Sequence, residues 1–471
     1  MAESDAFPSG EEDKREQRLI GDLRRMYHTD EAVAQALARV RKRLEESSVR
    51  VLDTHARTQH QPGLPSRQQA QPGYMNKEDT RFRFSEGKTW QQRTALIAAA
   101  FFVTVLVGSL IVVLTHAHHN NAGGPSTISS SFGAISSIHM LDAQIGWALT
   151  DKGRIVRTTD GGIHWKNVTP KQLPPPTRMS VVAEFLTASN AWVAISGADR
   201  TTTVIFRTTD AGQTWQETSI HTGIVAQLTF INAQDGWMLS KHAISENAET
   251  AEVFHTTDGG KTWVKVSSAL ASSLDIPPPG HLPFGGSKSG LRFLNATNGW
   301  LTGRVPIDGH VLLYRTRDGG VTWNPQSLPL SPTEASSQLS ILPPLFFGTT
   351  DGILPVSFDT GNGVSLDVYV THDGGATWRG TSPLRAAATT ADFIDVSHGW
   401  ASDGTLLYVT SDGGQHWTKL SPGGDFQHVT QLDLVSSDIG WAIGAIGSKT
   451  PSLLKTVDGG HTWTVIPYTI S

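Results

Sequence analysis

Seven aspartates recur in one setting. Asp160, Asp210, Asp258, Asp318, Asp373, Asp412 and Asp458 each stand third in the pattern T-x-D-x-G-x-[TH]-W, which closes on Trp165, Trp215, Trp263, Trp323, Trp378, Trp417 and Trp463. A carboxylate can move a proton, ligate a cation or accept hydrogen bonds from backbone. This setting selects the last role. The Gly suits a positive φ, the carboxylate can accept from N–H groups two or three residues on, and the Trp packs beneath a hairpin turn. A calcium loop needs several acidic ligands together, and each box offers one. The box residues therefore read as structural, and no metal or cofactor is expected.

A second set of carboxylates, Asp151, Asp199, Asp308, Asp359 and Asp403, falls between the boxes where spacing varies. Two of them about 5–9.5 Å apart would suit glycoside hydrolysis. Arg178, Arg200, Lys241, Lys288, Arg304 and Arg385 lie in the same variable stretches, with Phe284 as an aromatic anchor, and form a candidate binding set. The 471 residues contain no cysteine, which excludes disulfides, thiolate metal sites and a cysteine nucleophile. A net charge of −5 gives no basic signature for nucleic acid. His116, His118 and His119 have no carboxylate or cysteine partner nearby in sequence and read as linker.

The elements that must position these residues follow from a repeat. The box aspartates lie 39 to 60 residues apart. Between boxes, an apolar residue stands seven positions before a second Trp: Met140 and Trp147, Phe185 and Trp192, Phe230 and Trp237, Phe293 and Trp300, Phe393 and Trp400, Leu434 and Trp441. The fifth unit keeps Phe346 but has Ile353 in place of Trp. These six Trp, the seven of the boxes and Trp90 account for all 14. Short apolar stretches between the signatures give about four strands per unit, the arithmetic of a propeller blade. An all-β, seven-bladed propeller over residues 127–471 is predicted.

Ahead of it, residues 94–115 carry no charge for 22 residues, enough for a transmembrane helix across a hydrocarbon core of about 30 Å. Arg81, Arg83, Lys88 and Arg93 precede this run and no Lys or Arg follows it until Lys152, which places residues 1–93 in the cytoplasm and the propeller outside. Residues 1–53 show two helical patterns, carried by Leu19, Ile20, Leu23, Met26 and Tyr27 and by Val33, Leu37, Val40 and Leu44. Residues 54–93 read as a disordered tether rich in Gln and Pro, and 116–126 as a linker.

The T-x-D-G-G-x-T-W element resembles the Asp-box, or bacterial neuraminidase repeat, of sialidases, xyloglucan-type glycoside hydrolases, sortilin-like receptors and photosystem II assembly and stability factors. The pairing of a Gly-Trp strand with this hairpin is most similar to the assembly factors, over about residues 127–471. That resemblance implies a single seven-bladed propeller binding a client protein. Against a sialidase, no F-R-I-P segment occurs, and Tyr314, Tyr369 and Tyr408 lie in strands entering boxes while Tyr468 is near the end. The xyloglucan hydrolases place a cleft between two propellers, and this chain has one.

The box side of the ring is constant in length. Variation falls on the opposite rim, in the stretches 166–180, 264–290, 324–339, 240–251, 302–310 and 357–365, where loops on a rigid scaffold carry recognition. The resulting expectation is a non-enzymatic, single-pass membrane protein whose exported propeller binds a protein or complex as scaffold or assembly factor. The alternatives are a ligand or glycan receptor reporting through its cytoplasmic helices, and a glycosidase. Ring closure is open at this point: residues 126–131 could complete the last blade beside 464–471, or the first blade could pack on the seventh.

Overall fold

A computed structural model describes Ser109–Val113 and, from Phe132 to Ser471, all residues but 172–179, 198–199, 246–247, 270–279, 306, 360–363, 387, 423–425 and 447–451. The expectations for residues 1–93 and 116–126 lie outside the described residues.

The fold is all-β and propeller-like. The first unit pairs Ile135–Met140, Gly146–Thr150, Ile155–Thr158 and His164–Asn167 in that order, each antiparallel to the last. Among the described residues the same up-and-down order recurs, with first strands Ser180–Phe185, Ile224–Phe230, Ser287–Phe293, Thr390–Phe393 and Phe426–Leu434. The unit between the fourth and the sixth is irregular. Pro343 and Pro344 supply no backbone N–H, and its first strand is split around them into Gln338–Ile341 and Leu345–Phe347. Ser340 of this split strand pairs with Arg304, so the fourth and fifth units share one sheet.

The two sequence signatures meet across units. Trp192 stacks on Phe230 at 3.7 Å and 10°, and Trp237 on Phe293 at 3.8 Å and 7°, each Trp lying on the aromatic ring of the following unit. That ring in turn meets its own box Trp edge-on, as in Phe230–Trp263 and Phe293–Trp323. Where Gly precedes the Trp, the signature side chain of the same unit lies against it; the second unit has Ala191 at this place. A Cβ on Gly236 would lie 2.3 Å from the Phe230 ring, and one on Gly399 2.2 Å from that of Phe393. The indole N–H reaches further still, into the next box. Trp192 Nε1 donates to Gly259 O, Trp237 to Gly319 O and Trp400 to Gly459 O, at 2.8–2.9 Å.

The last unit closes on the first. Trp441 Nε1 donates to Gly161 O at 3.1 Å, repeating the clamp across 280 residues. On the inner strands, Gln431 Oε1 accepts from Ile138 N and Gln431 Nε2 donates to Ile138 O. On the outer edge, Thr469–Ile470 pairs parallel with His164 and Trp165, and the Tyr468 hydroxyl accepts from Ile135 N. The C-terminus thus adds to the first unit's outer strand.

Two expectations are corrected. The helix predicted over 94–115 does not extend through Ser109–Val113, which is a strand paired antiparallel to Ser180–Phe185. Ile111, Val112 and Val113 are β-branched and suit an extended backbone, and the edge of Ser180–Phe185 satisfies their peptide groups. Among the described residues no helix is long and apolar enough to cross a membrane. The stretches 240–251 and 357–365, expected as loops, are largely continued hairpins. Gly236–Ser245 pairs with Ala248–Thr256, and Asp351–Asp359 with Val364–Thr371.

Candidate functional site

The box carboxylates are consumed by their own turns. In every box the Asp Oδ1 accepts from the Thr hydroxyl two residues before and from the backbone N–H four residues on, at 2.8–2.9 Å. The Oδ2 takes the side chain at that same position, as Thr262 Oγ1 does for Asp258 at 2.7 Å. The main backbone donor is therefore four residues on, not two or three, because the two residues after the Asp turn the chain at positive φ before the N–H comes round, as Gly161 and Gly162 do at 74° and 96° and Ala211 does at 63° in the second box. At Asp258 burial opposes ionisation, but the bonds from Thr262 and Thr256 outweigh it and hold the carboxyl at about 2. Asp412 and Asp458 sit at about 2 on the same balance.

The predicted rim cations differ in their surroundings. Arg178 and Asp199 lie outside the described residues. Arg200, at φ 57°, and Arg385 are exposed. Lys288 is fully buried, its Nζ donating to Phe284 O at 2.7 Å, Gly286 O at 3.0 Å and Glu249 O at 3.4 Å. Burial lowers it to about 8, with Glu249 opposing and Lys241 adding to the fall. Lys241 Nζ stands 3.5 Å from Glu249 Oε2 and donates to Lys288 O. Arg304 donates to Gln338 Oε1 at 3.0 Å, and Phe284 is half-buried. Lys241, Lys288 and Arg304 thus tie the long third hairpin to the fourth and fifth units, and full burial corrects the place of Lys288 among the candidate contacts. Of the rim carboxylates, Asp151 accepts from Ala134 N, and Asp403 from Thr405 N and Leu406 N, as turn caps.

A further polar set escaped the sequence reading. In six units the residue just before the signature apolar position is polar and lies on an inner strand: His139, Glu184, Thr229, Arg292, Asp392 and Asp433; the fifth unit has Leu345 there. His139 Nδ1 is 3.9 Å from Asp433 Oδ1, and Arg292 of the fourth unit reaches within 4.0 Å of Glu184 of the second. Asp392 Oδ2 accepts from Leu434 N, and Asp433 Oδ2 from Met140 N, both at 2.6 Å, so each carboxylate grips the next unit's backbone. Burial raises Asp392 to about 6 against the N–H groups of Leu434 and Phe393. Burial and then the charge of Asp392 push Asp433 up. Burial and the Arg292 charge bring His139 down to about 4.

Another carboxylate pair surrounds Tyr369. Its hydroxyl donates to Glu334 at 3.0 Å, and Glu334 also closes the capping box of the short helix Pro332–Ala335 on Ser331. Burial and the charge of Glu334 raise Asp367 to about 7. Glu334 is 1% exposed, Asp367 2% and Tyr369 0%, so this Tyr–Glu pair is closed to solvent. Among the described residues no group of three or more His, Asp or Glu could hold a metal ion.

Strand order and interunit clamps define the class, a β-propeller, and the chain resembles YCF48. A family model described as Sortilin, neurotensin receptor 3 (Sortilin-Vps10) matches residues 141–273. A structure of YCF48 bound to D1 peptide is 16% identical, with 75% of this chain and 98% of that one covered at a TM-score of 0.46. YCF48 from Cyanidioschyzon merolae is 19% identical over 70% and 96% of the two chains, at 0.45. The GH74 xyloglucanase of Xanthomonas campestris is 12% identical over 76% of this chain and 56% of its own, at 0.48. No curated protein matches the chain.

Proposed function

We propose that the chain is a seven-bladed Asp-box propeller that binds a protein client on its variable rim, as a scaffold or complex-assembly factor without catalysis. The observation that carries this is the asymmetry of the ring. One side is held by seven repeats of the same Asp clamp, while the opposite rim bears the extended hairpins Gly236–Ser245 with Ala248–Thr256 and Asp351–Asp359 with Val364–Thr371. The buried cage around Lys288 ties the first of these hairpins to the neighbouring unit, and recognition loops are carried on such fixed scaffolds. Exposed Arg200 and Arg385 supply charge on the same side.

Membrane attachment ahead of the propeller, with residues 1–93 cytoplasmic, is also part of the proposal, supported by Arg81, Arg83, Lys88 and Arg93 before residue 94 and by the lack of Lys or Arg from there to Lys152. The client reading is tested by a photo-crosslinking amino acid placed at Arg200 or Arg385, with Lys261 on the box side as control. Adducts from the rim positions alone are expected; adducts from Lys261 alone would place recognition on the other face. Hydrolysis of any substrate in a panel of aryl glycosides and polysaccharides would overturn the non-catalytic part. Extraction of the full chain by alkaline carbonate would overturn the membrane part.

A further inference from the structure

Ser109–Val113 is a fifth strand on the second unit, whose own four strands follow it in the sheet. It pairs with the first strand of the second unit without a register shift, Ser109 opposite Glu184, Ile111 opposite Val182 and Val113 opposite Ser180, and also lies against the first strands of the first and third units. Nothing in the closure of the ring uses it. The outer strap, the Gln431 clamp and the Trp441 bond all join the last unit to the first. Residues 114–134 separate it from Ile135 in sequence, a length that spans up to about 70 Å when extended.

We propose that the inner edge of Ser180–Phe185 is a strand-addition site for an extended, uncharged, apolar peptide, and that Ser109–Val113 is a built-in occupant that competes for it. The register supports a specific seat. It sets the polar Ser109 level with Glu184, in the row of His139 and Arg292, and the apolar Leu110 to Val113 beyond that row. A slip of one residue toward the row would bring Leu110 level with the charges, which disfavours it. Backbone pairing supplies the affinity in such a mode, and the alternation of side chains supplies the selectivity. The inference goes beyond the rim reading and stands or falls separately from it.

The absence of native cysteine makes the test clean. Val112 and Val181 are register partners, and partner Cα atoms in an antiparallel pair lie about 4.5–5.5 Å apart, within disulfide range. In the full chain carrying Val112→Cys and Val181→Cys, mild oxidation is expected to give one intramolecular disulfide. The probe is a fluorescent peptide of residues 107–115 with a solubilising lysine tail. It should bind the reduced protein at least about tenfold more tightly than the oxidised one. Ile111→Pro in the otherwise unaltered chain, which removes a pairing N–H from the occupant, should strengthen probe binding by about tenfold and leave the melting temperature nearly unchanged. Failure of the disulfide to form, or equal binding to the oxidised and reduced proteins, would overturn the proposal. Unfolding of the Ile111→Pro chain would do so too, because the strand would then be a fixed part of the fold.

Discussion

At the scale of single residues, two kinds of aspartate carry opposite pH dependences. The box aspartates are held below their ordinary value, so what they add to stability is present above about pH 4 and is lost as pH falls toward 2. The inner Asp392 and Asp433 are raised by burial. The folded state then holds their protons where the unfolded chain has released them, and stability declines as pH rises from about 4 through 6. His139, brought down to about 4, acts in the reverse sense between 4 and 6.5. Asp433→Asn keeps an oxygen for Met140 N–H and removes the buried charge. Its melting temperature should equal or trail the parent at pH 4 and exceed it by several degrees at pH 7.5; an offset independent of pH would show that Asp433 does not titrate there. Asp258→Ala leaves the Thr262 N–H and hydroxyl without their acceptor. It should cost about 1–2 kcal/mol in urea unfolding at pH 7, and a loss of equal size at pH 2 would contradict the role given to the ionised carboxyl.

At the scale of elements, the Gly-Trp strand is a clamp between neighbours. Trp237→Phe keeps a ring over Phe293 but loses the 2.9 Å bond to Gly319 O, and should destabilise by about 1–1.5 kcal/mol. Trp237→Ala loses the stack as well and should cost about 3–5 kcal/mol. Chemical denaturation of both variants separates the hydrogen bond from the stack, and equal losses would mean that the bond contributes nothing. The spacing of Phe and Trp was legible in the sequence because both lie in one unit. The stacking partner was not, because it sits one unit further along. The same distinction explains the rim. Loop length can be counted, whereas the fate of Lys288 depends on carbonyls at 249, 284 and 286 that only the folded hairpin gathers. The inner polar row had a signal, the position before each signature residue, but its residue types vary from His139 to Arg292 and no motif marks them. Residues 94–115 read as a helix because uniform apolarity carries no period. Ser109–Val113 shows that such a run can equally supply a strand where a sheet edge accepts it.

At the scale of the whole molecule, the junction between the last unit and the first joins residues 280 to 333 positions apart in sequence. The structure secures it at three depths: Gln431 and Asp433 on the inner strands, Trp441 in the first box, and the strap at the C-terminus. The strap alone joins Thr469 N to Ile163 O, Asn167 N to Ser471 O, Ser471 N to Trp165 O and Ile135 N to the Tyr468 hydroxyl. Four such bonds contribute roughly 2–6 kcal/mol. Removing Tyr468–Ser471 should therefore lower the melting temperature while leaving one cooperative transition, since the two inner layers still close the ring. Trp441→Phe should produce a smaller loss of its own. Because both changes weaken the same junction, the combined chain should lose more than the sum of the two, and calorimetry should resolve the first unit melting ahead of the rest. Strict additivity with a single transition would mean that the layers act independently and that the junction is no weaker than any other.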